Sequence, residues 1–337
     1  LTNSTVSENS ATGDHATGGG IANSGTLTLT HSSVSGNSTD GQGGGIDNTY
    51  EGTLTLTHST VSGNSCSYGC GVVTDGTLTL THSTVSGNSG EYGGGIVSYG
   101  TLTLTHSTVS GNSALNGSGI DNFHGTLTLT DSTVSGNSGN GGIYNSGTAT
   151  VINSTVSGNS GNGLTNYRRG EMTLSNSTVS GNTDSGIYHW GGTTTVTNST
   201  VSGNAASGGR SDIDIYADAD GMVTIAGTLI VGSCWQARLG ITSSGHNIES
   251  PGNTCGFDQP TDQVNVSADD LKLGPLQDNG GPTPTHALLS GSVAIDRIPR
   301  GECADADGEP LTADQRGVQR PQGSACDVGA FELEVGP

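Results

Sequence analysis

Fourteen residues, GTLTLTHSTVSGNS at their fullest, occur nine times with small changes along this chain. Such repetition restricts the fold to architectures that grow unit by unit. Aligned on the valine of STVSGN, the copies fall at Val6, Val34, Val61, Val85, Val109, Val134, Val156, Val179 and Val201, with a degenerate copy at Ile230. The spacings run from 22 to 29 residues, a range shared by leucine-rich repeats and parallel β-helices. A leucine-rich repeat needs a leucine-rich helical return, whereas the return here is Gly, Ser, Asn and Asp. The pattern therefore predicts an all-β fold, a single-stranded parallel β-helix (β-solenoid) of about ten coils. Glycine is abundant at 58 residues, yet the apolar residues recur at fixed places, which disordered low-complexity sequence does not do.

Within a coil, TLTLT alternates, so Leu27 and Leu29 face one way and Thr26, Thr28 and Thr30 the other. A second short strand carries Val34 and a third, GGGI, carries Ile46. Between the first two strands stand Asn3, His31, His58, His82, His106, Asp131, Asn153, Asn176, Asn198 and Gly227. These residue types share a tolerance of positive φ, so the column predicts a left-handed turn. A second column, from Asn37 through Asn64 and Asn88 to Asn204, follows SG at the next corner. Amides stacked there would hydrogen-bond from coil to coil.

The formal net charge is -21, and none of the nine Lys and Arg precedes Arg168. Nucleic acid and anionic membrane both require basic patches and are excluded as partners. No apolar run is long enough to cross a membrane as a helix. The chain opens inside a repeat, so upstream sequence, including any signal peptide, is expected to be missing. Six cysteines fall in three sequence-local pairs, Cys66 with Cys70, Cys234 with Cys255 and Cys303 with Cys326. They point to three disulfides and an oxidising compartment, although connectivity is not fixed by sequence. A zinc reading of Cys66 and Cys70 finds no second pair at finger spacing.

Several residues stand out as candidate sites. Stacked His31, His58, His82 and His106 could form a metal stripe, but Asp, Asn and Gly replace them along the same column. Outward Thr28, Thr55, Thr79, Thr103 and Thr128 form a surface array similar to an ice-binding face, or simply well-paired β-branched residues. Two DADG stretches could bind calcium through Asp218 and Asp220, and through Asp305, Asp307 and Glu309; no other cofactor is implied. Tyr144, Tyr188 and Trp190 offer surfaces on which sugars could stack. For glycoside hydrolysis, Asp47 and Asp121 occupy one outward column three coils apart, roughly 14 Å, too far for either hydrolytic geometry. No catalytic residue set emerges; were the chain an enzyme, it would be a polysaccharide hydrolase or lyase.

After Ile230 the pattern changes. The phrases LGPLQDNGGPTPTHALLSGSVAID (273 to 296) and DQRGVQRPQGSACDVGAFE (314 to 332) resemble the C-terminal region of bacterial choice-of-anchor Q proteins. The preceding coils resemble the right-handed β-helix repeats found with it. The resemblance implies right-handed coils and an adhesin-like protein, extracellular or on the bacterial cell surface, with no catalytic residues to carry over. The expected organisation is β-helix repeats over 1–232, then irregular terminal coils and a C-terminal cap over 233–337, stapled by Cys303 and Cys326. The expected function is a non-enzymatic surface, adhesive or filament-forming solenoid, its partners itself, head to tail, or extracellular glycans. A carbohydrate-active or glycan-binding β-helix is the alternative, and ice binding a further one.

Overall fold

The structure, a computed structural model, describes residues 1–13, 16–204, 211–215, 221–236 and 240–334. They form two compact units, Leu1–Ala149 with Gly158–Leu164, and Thr150–Ser157 with Thr165–Pro337. Both are parallel β-solenoids whose coils are built from the same few strands.

In the first unit each full coil opens on a five-residue strand, Thr26–Thr30, Thr53–Thr57, Thr77–Thr81, Thr101–Thr105 and Thr126–Thr130. These pair in parallel and in register. Alternation turns both leucines inward: Leu54, Leu56, Leu78, Leu80, Leu102 and Leu104 are fully buried. The second strand buries its valine and the third its Ile46, Val72, Ile96 or Ile120. Each such side chain contributes about 1.5–3 kcal/mol on leaving water, so stacked aliphatic ladders make the core.

The corners explain why the sequence between the ladders repeats. At the first, φ is positive at His31 (49°), His58 (48°), His82 (50°), His106 (47°) and Asp131 (50°), and at Asn153, Asn176, Asn198 and Gly227 of the second unit. The expected left-handed column is thus present along its length. The serine that follows joins coils: the Ser59 N–H donates to Ser83 Oγ (3.1 Å) and the Ser83 N–H to Ser107 Oγ (3.1 Å). At the second corner the amides form the expected ladder. Asn64 Nδ2 donates to Asn88 Oδ1 (2.9 Å), Asn88 to Asn112 (2.9 Å) and Asn112 to Asn137 (3.0 Å). Because these groups are buried, each must find a partner inside the protein, and the next coil supplies it.

Two features were not read from the sequence. The variable segment of each coil forms a fourth ladder, Ser38–Thr39, Ser65–Tyr68, Ser89–Tyr92 and Ser113–Asn116. A second polar ladder ends the third strand, where Asn23 Nδ2 donates to Asn48 Oδ1 (2.7 Å) and Asn48 Nδ2 to Thr74 Oγ1 (2.9 Å).

In the second unit the last coil closes on polar groups. Glu249 takes the core position of the valines, facing Ile230 in register, and is fully buried. Its carboxylate accepts the N–H groups of Thr254 (2.6 Å) and Cys255 (2.9 Å), and the Cys234–Cys255 disulfide holds that turn. The stapled C-terminal region is present, with Cys303 bonded to Cys326, and it covers a flank of the coils. Gln315 donates to Ser154 O (3.2 Å) and Thr155 Oγ1 (2.8 Å) and accepts from Thr178 Oγ1 (2.6 Å). His286 bonds Ser180 through Nε2 (2.9 Å), while its Nδ1 meets Gly274 O (2.7 Å). The carbonyl fixes the proton on Nδ1, leaving Nε2 to accept the serine O–H. Where the cover is apolar, the outward column changes from Thr to Leu229 and Ile248, which join Leu271, Leu288, Ile298 and Phe331 in one core.

The phrase at 314–332 builds the lock of this cover. Arg320 is fully buried and donates to Asp327 O (3.1 Å) and Gly329 O (2.6 Å), its Nε 3.8 Å from Glu332. Arg316 pairs with Asp314 (2.8 Å) and lies 3.6 Å from the centre of the Phe331 ring. Burial outweighs attraction here: it raises the carboxyls of Asp327 and Glu332 and lowers the guanidinium of Arg320.

Candidate functional site

The fourth ladder and the third strand of the first unit enclose a cleft of about 250 Å³. Tyr68 and Tyr92 are register partners on adjacent coils, their ring centres 6.4 Å apart. Tyr99 and Phe123 stack at 5.6 Å, and Phe123 lies 5.4 Å from Tyr144. The Tyr68 and Tyr99 hydroxyls are hydrogen-bonded. Tyr68, Tyr92, Phe123 and Tyr144 all line the cleft, as do Asp121 and its register partner Val97. The Cys66–Cys70 disulfide brackets Tyr68 and stiffens the segment that presents it.

Asp121 was expected to point outward, as was Asp47. Both are buried, at 4% and 3% exposure, because the glycine-rich segment before the third strand folds over it. Gly93 shows the requirement: its φ is +64°, and a Cβ there would come 2.2 Å from Val97 Cγ2. The spacing itself is as expected. Asp47 pairs with Val73, Val73 with Val97 and Val97 with Asp121, so three coil steps separate the carboxylates.

Burial is the main force raising the Tyr68 hydroxyl; its bond to Tyr99 and the charges of Asp121 and Asp75 add to it. The ring therefore stays neutral at any physiological pH. Burial also raises Asp47, whose carboxylate bonds Thr17 and Gln42. Thr17, Gln42 and Tyr68 are consecutive register partners and line a second hollow of about 410 Å³. The column Thr17, Gln42, Tyr68, Tyr92 and Asn116 thus spans four coil steps, about 19 Å, and Tyr68 lines both hollows.

The other candidates lie elsewhere. Tyr188 and Trp190 belong to the second unit, rings 6.1 Å apart, beside Tyr167. Thr28, Thr55, Thr79, Thr103 and Thr128 are register neighbours on the outer face of the first sheet. The four histidines stack face to face at 4.9–5.0 Å. Asp218 and Asp220 lie outside the described residues. In the second DADG stretch one Asp305 oxygen accepts the N–H groups of Asp307 and Glu309 (both 3.0 Å), as in an ordinary turn. Among the described residues no three His, Cys, Asp or Glu side chains converge as a metal site would.

Sequence reasoning picked out Tyr144 but missed the rest of the groove, because its rings come from different offsets within the coil. The cue was present: three consecutive coils carry Tyr68, then Tyr92 with Tyr99, then Phe123, in segments otherwise poor in aromatic residues.

Residues 142–250 match the family model of the right handed beta helix region, and the chain is a right-handed parallel β-helix repeat protein. No curated protein matches it. Among solved structures it is similar to the crystal structure of pectate lyase Pel9A, at 16% identity and a TM-score of 0.51, over 91% of this chain and 87% of that one. At that identity the likeness shows the fold alone.

Proposed function

We propose that this chain is a non-enzymatic, extracellular β-solenoid that adheres to glycans through the groove of its first unit. One observation carries the reading: Tyr68, Tyr92, Phe123 and Tyr144 line one cleft together with Asp121. Aromatic faces stack on the apolar faces of sugar rings, and nearby carboxylate and amide groups orient hydroxyls. The groove's length suits a chain of sugars better than a single one. Three disulfides among the described residues fit an oxidising, extracytoplasmic setting. Among the described residues no helix is long and apolar enough to cross a membrane. The spacing of Asp47 and Asp121 is too wide for acid and base, or acid and nucleophile, to share one glycosidic bond.

Calorimetric titration with a panel of oligosaccharides tests the reading, with Tyr92→Ala as the first variant. Tyr92 is 44% exposed, so truncation leaves the core intact. Loss of one stacked ring removes about 0.5–1.5 kcal/mol beyond its area, which predicts affinity falling by about three- to tenfold. Unchanged affinity places the glycan elsewhere, and no binding across the panel ends the proposal. Release of new reducing ends or unsaturated products would replace adhesion with hydrolase or lyase activity.

A further inference from the structure

Resting on that reading, we infer that the groove selects glycans bearing free ammonium groups, an amino-sugar chain of the polyglucosamine kind, over neutral chains and over uronates. Four aromatic rings around one carboxylate make a receptor for a cation: ring faces attract positive charge, and the carboxylate forms a charge-assisted hydrogen bond to it. Two glycines bring bare backbone against that carboxylate, which still lines the cleft. Asp121 Oδ2 lies only 3.4 Å from where a Cβ on Gly93 would sit and 3.2 Å from one on Gly117, so any side chain at either place would crowd it.

The charge of the whole unit points the same way. Residues 1–149 and 158–164 contain Glu8, Asp14, Asp40, Asp47, Glu51, Asp75, Glu91, Asp121 and Asp131, and no Lys or Arg. Asp75 and Asp121 both act on the Tyr68 hydroxyl, so their fields overlap in the groove. A uronate chain would meet negative potential with no basic side chain of that unit to answer it. An ammonium-bearing chain would be drawn in and held where the dielectric is lowest. A neutral glycan would gain the stacking but not the charge.

The test titrates the full chain, at about pH 6 and about 0.15 M salt, with the tetramers of glucosamine, N-acetylglucosamine and galacturonate. The glucosamine tetramer is expected to bind about tenfold or more tighter than its acetylated form, with galacturonate silent. Asp121→Asn should abolish that preference. Asp131→Asn, which removes the same charge from a corner outside the groove and suits a left-handed φ, should keep it. Equal or tighter binding of the acetylated tetramer overturns ammonium selection and leaves glycan adhesion standing. Silence of all three overturns both. Equal losses in the two variants would mean adsorption to net charge, and would also overturn the inference; the wild-type comparison decides the matter should Asp121→Asn fail to fold.

Discussion

Replacing Asn112 by alanine tests the claim that buried amide ladders, rather than aliphatic burial alone, hold coil to coil. Asn112 is 1% exposed and its side chain makes four hydrogen bonds. Nδ2 donates to Val85 O (3.0 Å) and Asn137 Oδ1 (3.0 Å), while Oδ1 accepts from the Asn88 N–H (3.1 Å) and Asn88 Nδ2 (2.9 Å). Some partners survive its loss. Asn88 Nδ2 keeps Val61 O (3.1 Å), and Asn137 Oδ1 keeps the backbone N–H of residue 112 (3.0 Å). The Asn88 N–H and the Val85 carbonyl lose this partner. Each buried group left unpaired costs about 1–3 kcal/mol, so the change is expected to destabilise by about 4 kcal/mol in total. Gly95, a Cβ on which would sit 3.0 Å from Asn112 Nδ2, has no side chain with which to fill the space. Urea denaturation gives the free energy, and hydrogen exchange at the Asn88 amide reports the bond itself. Asn9→Ala, at an exposed position of the same column, is expected to cost less than about 1 kcal/mol. A loss at Asn112 below about 1 kcal/mol, or unchanged exchange at Asn88, would refute the reasoning.

Three further outcomes are expected. Burial pushes the Asp212 carboxyl up to about 6 from 3.8; the folded chain holds a proton that the unfolded chain has released, so stability falls as pH climbs through that window, by about 3 kcal/mol from this group. Urea midpoints taken across it should decline in the wild type and decline less in Asp212→Asn. At His82, where φ is 50°, Asn should be neutral and Val should cost at least about 1–2 kcal/mol, read from the same denaturation curves. Replacing Cys66 and Cys70 together by alanine should weaken glycan affinity several-fold in the calorimetric titration, because the bridge holds the segment that presents Tyr68, and should lower the melting temperature as well, because Cys70 is fully buried.

How much of this was legible depends on what each position must satisfy. The left-handed column could be read because His, Asn, Asp and Gly share only that conformational property, and the amide ladder because Asn recurs after SG. The second polar ladder was hidden by mixed chemistry, with Asn48, Thr74, Ser98 and Asn122 filling one column. Thr155, Thr178 and Thr200 carry the same residue as the half-buried Thr60, Thr84, Thr108 and Thr133 of other coils, so the sequence does not reveal that the cover lies over them; only Leu229 and Ile248 betray it. The groove was the least legible of all. Its rings are brought together by register between coils of unequal length, and Asp121 reads as outward until the glycines that fold over it are placed.

The distribution of charge ties these observations together. All nine Lys and Arg belong to the second unit. Two of them, Arg316 and Arg320, answer the buried Asp314, Asp327 and Glu332 that lock the cover, and Arg168 lies 5.1 Å from the Tyr167 ring centre. The first unit instead satisfies its buried groups with Asn, Ser and Thr, which need no counter-charge. A lysine near the groove would place a tethered ammonium over Asp121 and compete with any cationic ligand. A unit that builds its coils from uncharged ladders therefore brings no Lys or Arg of its own to its groove, and that is the condition under which Asp121 can favour a cationic ligand.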